Sequence, residues 1–169
     1  MNAVLATLAG SDFRASARFH SWKPPRWFRL WMHWASRLGD GWVWLGAALL
    51  LPCLGDRRPV FTAFMLAAVV SNVAQVILKR GVRRRRPIEY ASRFAFDEFS
   101  FPSGHSLNAF ALGTVLALAF PAAALAVMFL AASIAVSRAA LGYHFIGDVL
   151  AGTTLGGVIG LLAFWAATG

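Results

Sequence analysis

Cysteine is nearly absent. Cys53 is the single one in 169 residues, which excludes an intrachain disulfide and any metal site built on several thiolates. Charge is scarce too. Charged residues make up 14% of the chain against 59% apolar, with a mean hydropathy of +0.62, whereas soluble domains carry about 45–50% apolar residues. So few polar groups cannot cover a soluble surface, and the chain reads as an integral membrane protein. Acidic residues are scarcer still, 7 against 16 Lys and Arg, for a net charge of +9. In a soluble protein that excess would suggest nucleic acid. Here the basic residues flank apolar segments, which points instead to anionic headgroups or a phosphorylated lipid, with no nucleic-acid partner expected. Residues 1–10 have no cationic stretch before them, so no cleaved signal peptide is expected.

What is present divides into apolar runs and polar breaks. Residues 11–38 mix arginines with Phe13, Phe19, Trp22, Trp27, Phe28, Trp31 and Trp34. That mixture suits an amphipathic interfacial helix starting after Pro24-Pro25, with tryptophans at headgroup level, or else a strongly tilted first span. Gly39-Asp40-Gly41 breaks it. Trp42 to Leu54 is apolar but short for the roughly 20 residues of a span. Val60 to Leu78 is a good span in which Ser71, Asn72 and Gln75 mark a protein-facing side. Ser106 to Phe120, Ala122 to Val136 and Phe145 to Ala167 follow; Gly152, Gly156, Gly157 and Gly160 in the last suit close helix packing. The expected fold is all-α: a membrane-embedded helical bundle of five to six transmembrane helices. One domain over residues 1–169 is expected, with 11–38 as the amphipathic or tilted N-terminal segment.

Spans alternate direction, so the connections 79–102 and 138–144 fall at the same membrane face. Almost every unusual ionisable residue is in or beside them, and the active site is expected near that face. Lys79 continues the preceding helix, and Pro87 keeps Arg86 extended. The neighbouring Arg80, Arg83, Arg84 and Arg85 read mainly as a juxtamembrane run holding acidic headgroups. Ser103 stands where it caps the next helix, and its N–H with those of Gly104 and His105 would form an anion site. Ser137-Arg138 precedes His144, and Asp148 follows four residues later; in a helix that spacing puts histidine and carboxylate on one face. Each cluster has a structural reading: a headgroup-binding run, a simple helix cap, a structural His–Asp contact. Together they supply cations, N–H donors and two histidines, a set that suits a phosphate ester better than a carbonyl or a sugar.

Lys79, six residues, Arg86-Pro87; then Pro102-Ser103-Gly104-His105; then Ser137-Arg138, five residues, His144, three residues, Asp148. This ordered set resembles the type 2 phosphatidic acid phosphatase superfamily of membrane lipid phosphatases, related to vanadium haloperoxidases, over residues 79–152. The resemblance implies roles. His144 attacks phosphorus and becomes phosphohistidine, and Asp148 holds it in the right tautomer. His105 protonates the leaving group and then activates water. Lys79, Arg86, Ser103, Gly104 and Arg138 hold the phosphate oxygens. It implies no metal and no cofactor. The run Arg83 to Arg85 is unusually basic and suggests a second phosphate or an anionic lipid.

The function that follows is hydrolysis of a lipid phosphate or diphosphate, on a phosphatidate-, phosphatidylglycerophosphate-, lipid A- or polyprenyl-diphosphate-like substrate. A phosphotransferase passing the same intermediate to another hydroxyl, and a non-catalytic lipid-binding membrane scaffold, are the alternatives. Partners are the phosphorylated lipid and the bilayer. The expected location is a multi-pass position in a bacterial inner membrane. The positive-inside count puts the polar face in the cytoplasm, whereas the resemblance implies the outer face.

Overall fold

A computed structural model describes residues 3–55, 57–87 and 98–169, with the backbone alone for 3–9 and 20. Seven α-helices lie among the described residues: α1 Ala3–Ser21, α2 Arg26–Leu38, α3 Trp42–Leu50, α4 Arg58–Val82, α5 Gly104–Ala119, α6 Ala124–Ala140 and α7 Ile146–Thr168. The all-α expectation holds for them. Residues 11–38 form not one segment but parts of two helices. Pro24 and Pro25 remove backbone donors and disfavour helix before them, so α1 stops at Ser21 and α2 starts at Arg26. Gly41 at φ +106° turns α2 into α3, a conformation an L side chain resists.

Helices α4 and α7, and α6 with the 3-10 turn Pro121–Ala123 before it, are long and apolar enough to cross a membrane. Two others, Trp42–Cys53 and α5, are shorter apolar helices. Of the five spans expected, three therefore have full spanning length. The outer faces fit lipid. Leu125, Phe129, Leu162 and Trp165 are exposed, a distribution too apolar for water.

Helix α5 is the centre of the bundle, packed by α4, α6 and α7. Its closest partner is α7, and glycine is the reason. Gly152, Gly156 and Gly160 repeat every four residues on one face of α7, and a Cβ at each would meet the backbone of Ser103, Leu107 and Ala111. Helices that approach so closely gain dispersion contact, the main attraction between helices where lipid removes the hydrophobic drive. Phe64, Leu107, Val115 and Ile134 fill the core.

Helix α2 runs beside α6. Trp31 stacks on Phe129 at 6.1 Å, and farther on Ser36 accepts a hydrogen bond from Arg138 at 2.6 Å. Helix α1 touches the connection before α7. Phe13 meets Phe145 at 6.3 Å. Asp12 and Ser16 accept the Gly147 and Ile146 N–H groups at 2.8 and 3.0 Å. These amides start α7 and have no carbonyl of their own helix to pair with.

Candidate active site

The C-terminal ends of α2, α4 and α6 meet the N-terminal ends of α3, α5 and α7 at one end of the bundle. There a cavity of about 1020 Å³ opens, lined by Lys79, Arg86, Gly104, His105, Arg138 and His144 among others. The three polar clusters separated in sequence thus face one space.

His144 lies in the connection between α6 and α7 and is buried. It precedes Phe145, the N-cap of α7, so the four-residue spacing to Asp148 is not a helical pair. Chain reversal at the helix start produces the proximity instead. His144 Nδ1 faces Asp148 Oδ2 at 3.7 Å, an ion-pair distance and too long for a hydrogen bond. On the other side Arg86 comes within 3.3 Å of Nε2 and donates to the Tyr143 carbonyl at 3.1 Å. A guanidinium has no acceptor, so this contact requires a lone pair on Nε2 and leaves the ring proton on Nδ1, towards Asp148. Burial, reinforced by Arg86 and Arg138 and opposed by Asp148, lowers the imidazole to about 4. The ring is therefore neutral at neutral pH, with its lone pair directed to the cation side.

Asp148 is fully buried and satisfied. Oδ1 accepts from Arg84 at 2.8 Å and Oδ2 from the Phe145 N–H at 3.0 Å, an interaction that also suits a carboxylate at a helix N-terminus. Arg84 continues outward to Asp12 Oδ2 at 2.7 Å and lies over the Phe145 ring at 4.1 Å. The reading of Arg84 as a headgroup-binding residue is thereby corrected. It is an internal strut joining α1 to the carboxylate behind His144.

The arginine run is sorted by backbone geometry. Arg83 caps α4 in the left-handed conformation at φ +51°. From Arg84 the chain is extended. Ser100 N–H bonds the Arg84 carbonyl at 2.7 Å, and Arg85 bridges Phe99. Alternate residues of an extended chain share a face, so Arg84 and Arg86 both reach the connection before α7. The second-phosphate role suggested for Arg83 to Arg85 does not extend to Arg84. The part of this loop with Phe94 and Phe96 lies outside the described residues.

Ser103 also differs from expectation. It stands at the N-cap of α5 without a side-chain cap bond. It is fully buried, its N–H bonds the Asp148 carbonyl at 3.0 Å, and its hydroxyl accepts from Ser106 at 2.9 Å. Its N–H is thus taken, and the residue ties α5 to α7 beneath the cavity. Gly104 and His105 do line the cavity, and their N–H groups belong to the unpaired first turn. The end of the Gln75 side chain lies against Gly104, where a Cβ would displace it.

His105 Nε2 sits 2.9 Å from Asp40 Oδ1. This partner was not anticipated. In sequence Asp40 is merely the polar centre of a glycine break, and no periodicity ties it to a residue 65 positions away. Gly39 makes the approach possible, because its Cβ would strike the His105 ring. Arg138 is buried between Ser36, which accepts its 2.6 Å hydrogen bond, and the Tyr143 ring, 4.3 Å away.

The chain is similar to known proteins. The chain is 32% identical over 128 residues to lipid A 1-phosphatase of Rhizobium etli, covering 70% of this chain and 49% of that protein. It is 32% identical over 131 residues to decaprenylphosphoryl-5-phosphoribose phosphatase of Mycobacterium tuberculosis, covering 72% and 69%. The chain thus spans about half the length of the first relative and about two thirds of the second. Its fold matches the crystal structure of a transmembrane PAP2 type phosphatidylglycerolphosphate phosphatase from Bacillus subtilis, with a TM-score of 0.76 at 24% identity over 93% of this chain and 84% of that one. The family model of the PAP2 superfamily matches residues 60–168, which include all three motif clusters. With its helices, its apolar exterior and its ordered motifs in agreement, the chain is a membrane protein of the PAP2 superfamily.

Proposed function

We propose that the protein is a lipid phosphatase that removes phosphate through a phosphohistidine intermediate. One observation carries the reading. His144 has its Nε2 lone pair beside Arg86 and its Nδ1 towards Asp148, and it opens on a cavity shared with Lys79, Arg138 and His105.

Lys79, Arg86 and Arg138, with the Gly104 and His105 N–H groups, hold the phosphate oxygens and balance their growing charge. His144 Nε2 attacks phosphorus. The bond to the lipid oxygen breaks, and His105, which the negative charge of the bound phosphate holds in its protonated form, gives that oxygen its proton. Asp148 faces the positive charge left on the His144 ring. Water then attacks the phosphohistidine. His105 takes a proton from it, the P–N bond breaks, and inorganic phosphate leaves with His144 regenerated. Asp40 orients His105, the part a third group takes in nucleophile–base systems. Ser103 acts at one remove, by setting Asp148 and α5 relative to each other. The substrate is a phosphatidate-, phosphatidylglycerophosphate-, lipid A- or polyprenyl-diphosphate-like lipid. The named activities of the relatives support this class, since each is a phosphatase of a lipid-linked phosphate.

The domain comprises residues 1–169, because Asp12 and Ser36 of the N-terminal helices contact the site itself. Its place is a bacterial inner membrane. Both relatives are bacterial, and outer-membrane spans are closed barrels, unlike these helices. The test is phosphate release by detergent-purified protein across a panel of lipid phosphates, with H144A as the blank. Wild type is expected to release phosphate and to trap acid-labile, base-stable phosphoprotein on rapid quenching. Lipid binding without release, unchanged by H144A, would instead identify a scaffold.

A further inference from the structure

The phosphate end of the cavity is lined by Lys79, Arg86 and Arg138 and by the first turn of α5. Ammonium, guanidinium and backbone N–H groups donate hydrogen bonds and accept none. Gln75 lines the same space and is half-buried. It stands one helical turn before Lys79 on the same face of α4.

A relay along α4 holds the Gln75 amide in one orientation. Asn72 Nδ2 donates to the Ala68 carbonyl at 2.8 Å. A carbonyl only accepts, so Asn72 turns its Oδ1 the other way. That oxygen accepts from Gln75 Nε2 at 2.8 Å and from Asn108 Nδ2 at 3.4 Å. The donor end of Gln75 is thus committed to Asn72, and its acceptor end is directed to α5. There Oε1 lies against Gly104, the residue before His105. No described residue donates to it. The carboxylates that line the cavity, Asp40 and Glu98, carry charge of the same sign as phosphate, and Asp40 already faces His105. Gln75 Oε1 is an uncharged acceptor. Ionised phosphate oxygens accept as it does and cannot pair with it, whereas an O–H group can.

We infer that Gln75 orients the water that hydrolyses the phosphohistidine, and so favours water over an alcohol as the phosphate acceptor. The inference rests on the phosphatase reading above and assigns a residue to its second step. Water has two O–H groups. One gives its proton to His105 at Nδ1, the ring nitrogen that Asp40 leaves free. The other donates to Gln75 Oε1. The water oxygen forms a bond to phosphorus, and the P–N bond breaks with its electron pair returning to His144 Nε2. The departing phosphate keeps the second proton. An alcohol has a single O–H, which His105 takes, and its alkyl group then meets Gln75 Oε1 and leaves that acceptor unpaired. A site built to hydrogen-bond a group rejects the analogue that lacks it. Gln75 thereby separates a phosphatase from a phosphotransferase built on the same two histidines.

The experiment gives the detergent-purified full chain a short-chain phosphatidate, an acylated glucosamine 1-phosphate or farnesyl phosphate, whichever is turned over fastest, in buffer with a fixed share of methanol. It measures the ratio of methyl phosphate to inorganic phosphate. Both products come from one intermediate, so the ratio depends neither on the fraction of protein that folds nor on the rate of phosphorylation. Q75M keeps the length of the side chain and removes the acceptor. Its ratio is expected to exceed that of wild type by about tenfold, the scale of one hydrogen bond, and its quenched phosphoprotein to decay more slowly. N72A frees the Gln75 amide to turn and is expected to raise the ratio by less. A ratio that stays at the wild-type value or falls in Q75M, or in N72A should Q75M not fold, overturns the assignment of Gln75 and leaves the phosphatase reading standing. Release of neither product from any of the three lipids by wild type overturns both.

Discussion

The two histidines at the cavity each face a carboxylate, but the pairs are built in opposite ways. His144 and Asp148 are neighbours in the chain and almost wholly buried. Behind them Asp148 is held by Arg84, and Arg84 by Asp12. His105 and Asp40 come from distant parts of the chain, and their side chains are 28% and 54% exposed. Among the described residues, no second carboxylate or cation buttresses Asp40 in the way Arg84 buttresses Asp148. The contrast matches the two proposed tasks. A nucleophile must keep one tautomer and one direction, which burial and a fixed partner enforce. An acid and base must exchange protons with a leaving group and with water, which requires partial access.

The strongest way to break the contrast is D148N. It removes the charge that faces Nδ1 and leaves the Arg84 guanidinium without its inner carboxylate. We expect kcat to fall about 10³–10⁴-fold, the size seen when a triad carboxylate is replaced by its amide. A kcat within tenfold of wild type would show that Asp148 serves only as a helix cap. D40N tests the other pair. We expect a smaller loss of kcat, about 10–100-fold, with KM little altered and the pH limb that belongs to His105 displaced. An effect as large as that of D148N would erase the proposed distinction.

Acid titration reads the burial of His144. Folded, its pKa is about 4; unfolded, it returns to 6.5. Between these values the unfolded chain binds the additional proton, so stability rises with pH across that window and is lost on acidification through it. The span corresponds to roughly 3 kcal/mol. Thermal unfolding in detergent from pH 7 to pH 4 measures it as the difference between wild type and H144Q, whose slope is expected to be flatter. A wild-type slope no steeper than that of H144Q would mean the ring is solvated. The smallest effect is expected for D12N, which loosens Arg84 from outside. Asp12 and Arg84 are partly exposed, at 16% and 25%, so the loss is about 1 kcal/mol of stability. We expect a modest fall in kcat with it. Loss of stability with kcat unaltered would make α1 a fastening and not a positioning element.

The sequence itself made much of this legible. The apolar runs and their polar breaks located α4 to α7 to within a few residues, because span length and helix-ending chemistry are local properties. Alternation of spans brought residues 79–87, 103–105 and 138–148 to one face without any coordinates. Lys79, Arg86, Gly104, His105, Arg138 and His144 all line the cavity. Less legible was the division of labour inside the arginine run. Four successive arginines are chemically alike, and the extended backbone pinned by Phe99 and Ser100 decides that Arg84 turns to Asp148 while Arg86 turns to His144. The cap position of Ser103 does not disclose that its N–H is taken by the Asp148 carbonyl, because α7 is remote in sequence.

The sequence by itself determined the class of molecule and its functional groups: a membrane helical bundle with clustered cations and two histidines. Hydropathy and motif spacing are properties of the chain and survive without a fold. Only the tertiary structure decided which carboxylate faces which histidine, and that α1 reaches through Arg84 to the carboxylate behind His144. Those pairings join helices remote in sequence, and no local preference encodes them. They arise because close packing of α5 on α7 and the turn from α2 into α3 at Gly41 fix where each side chain ends.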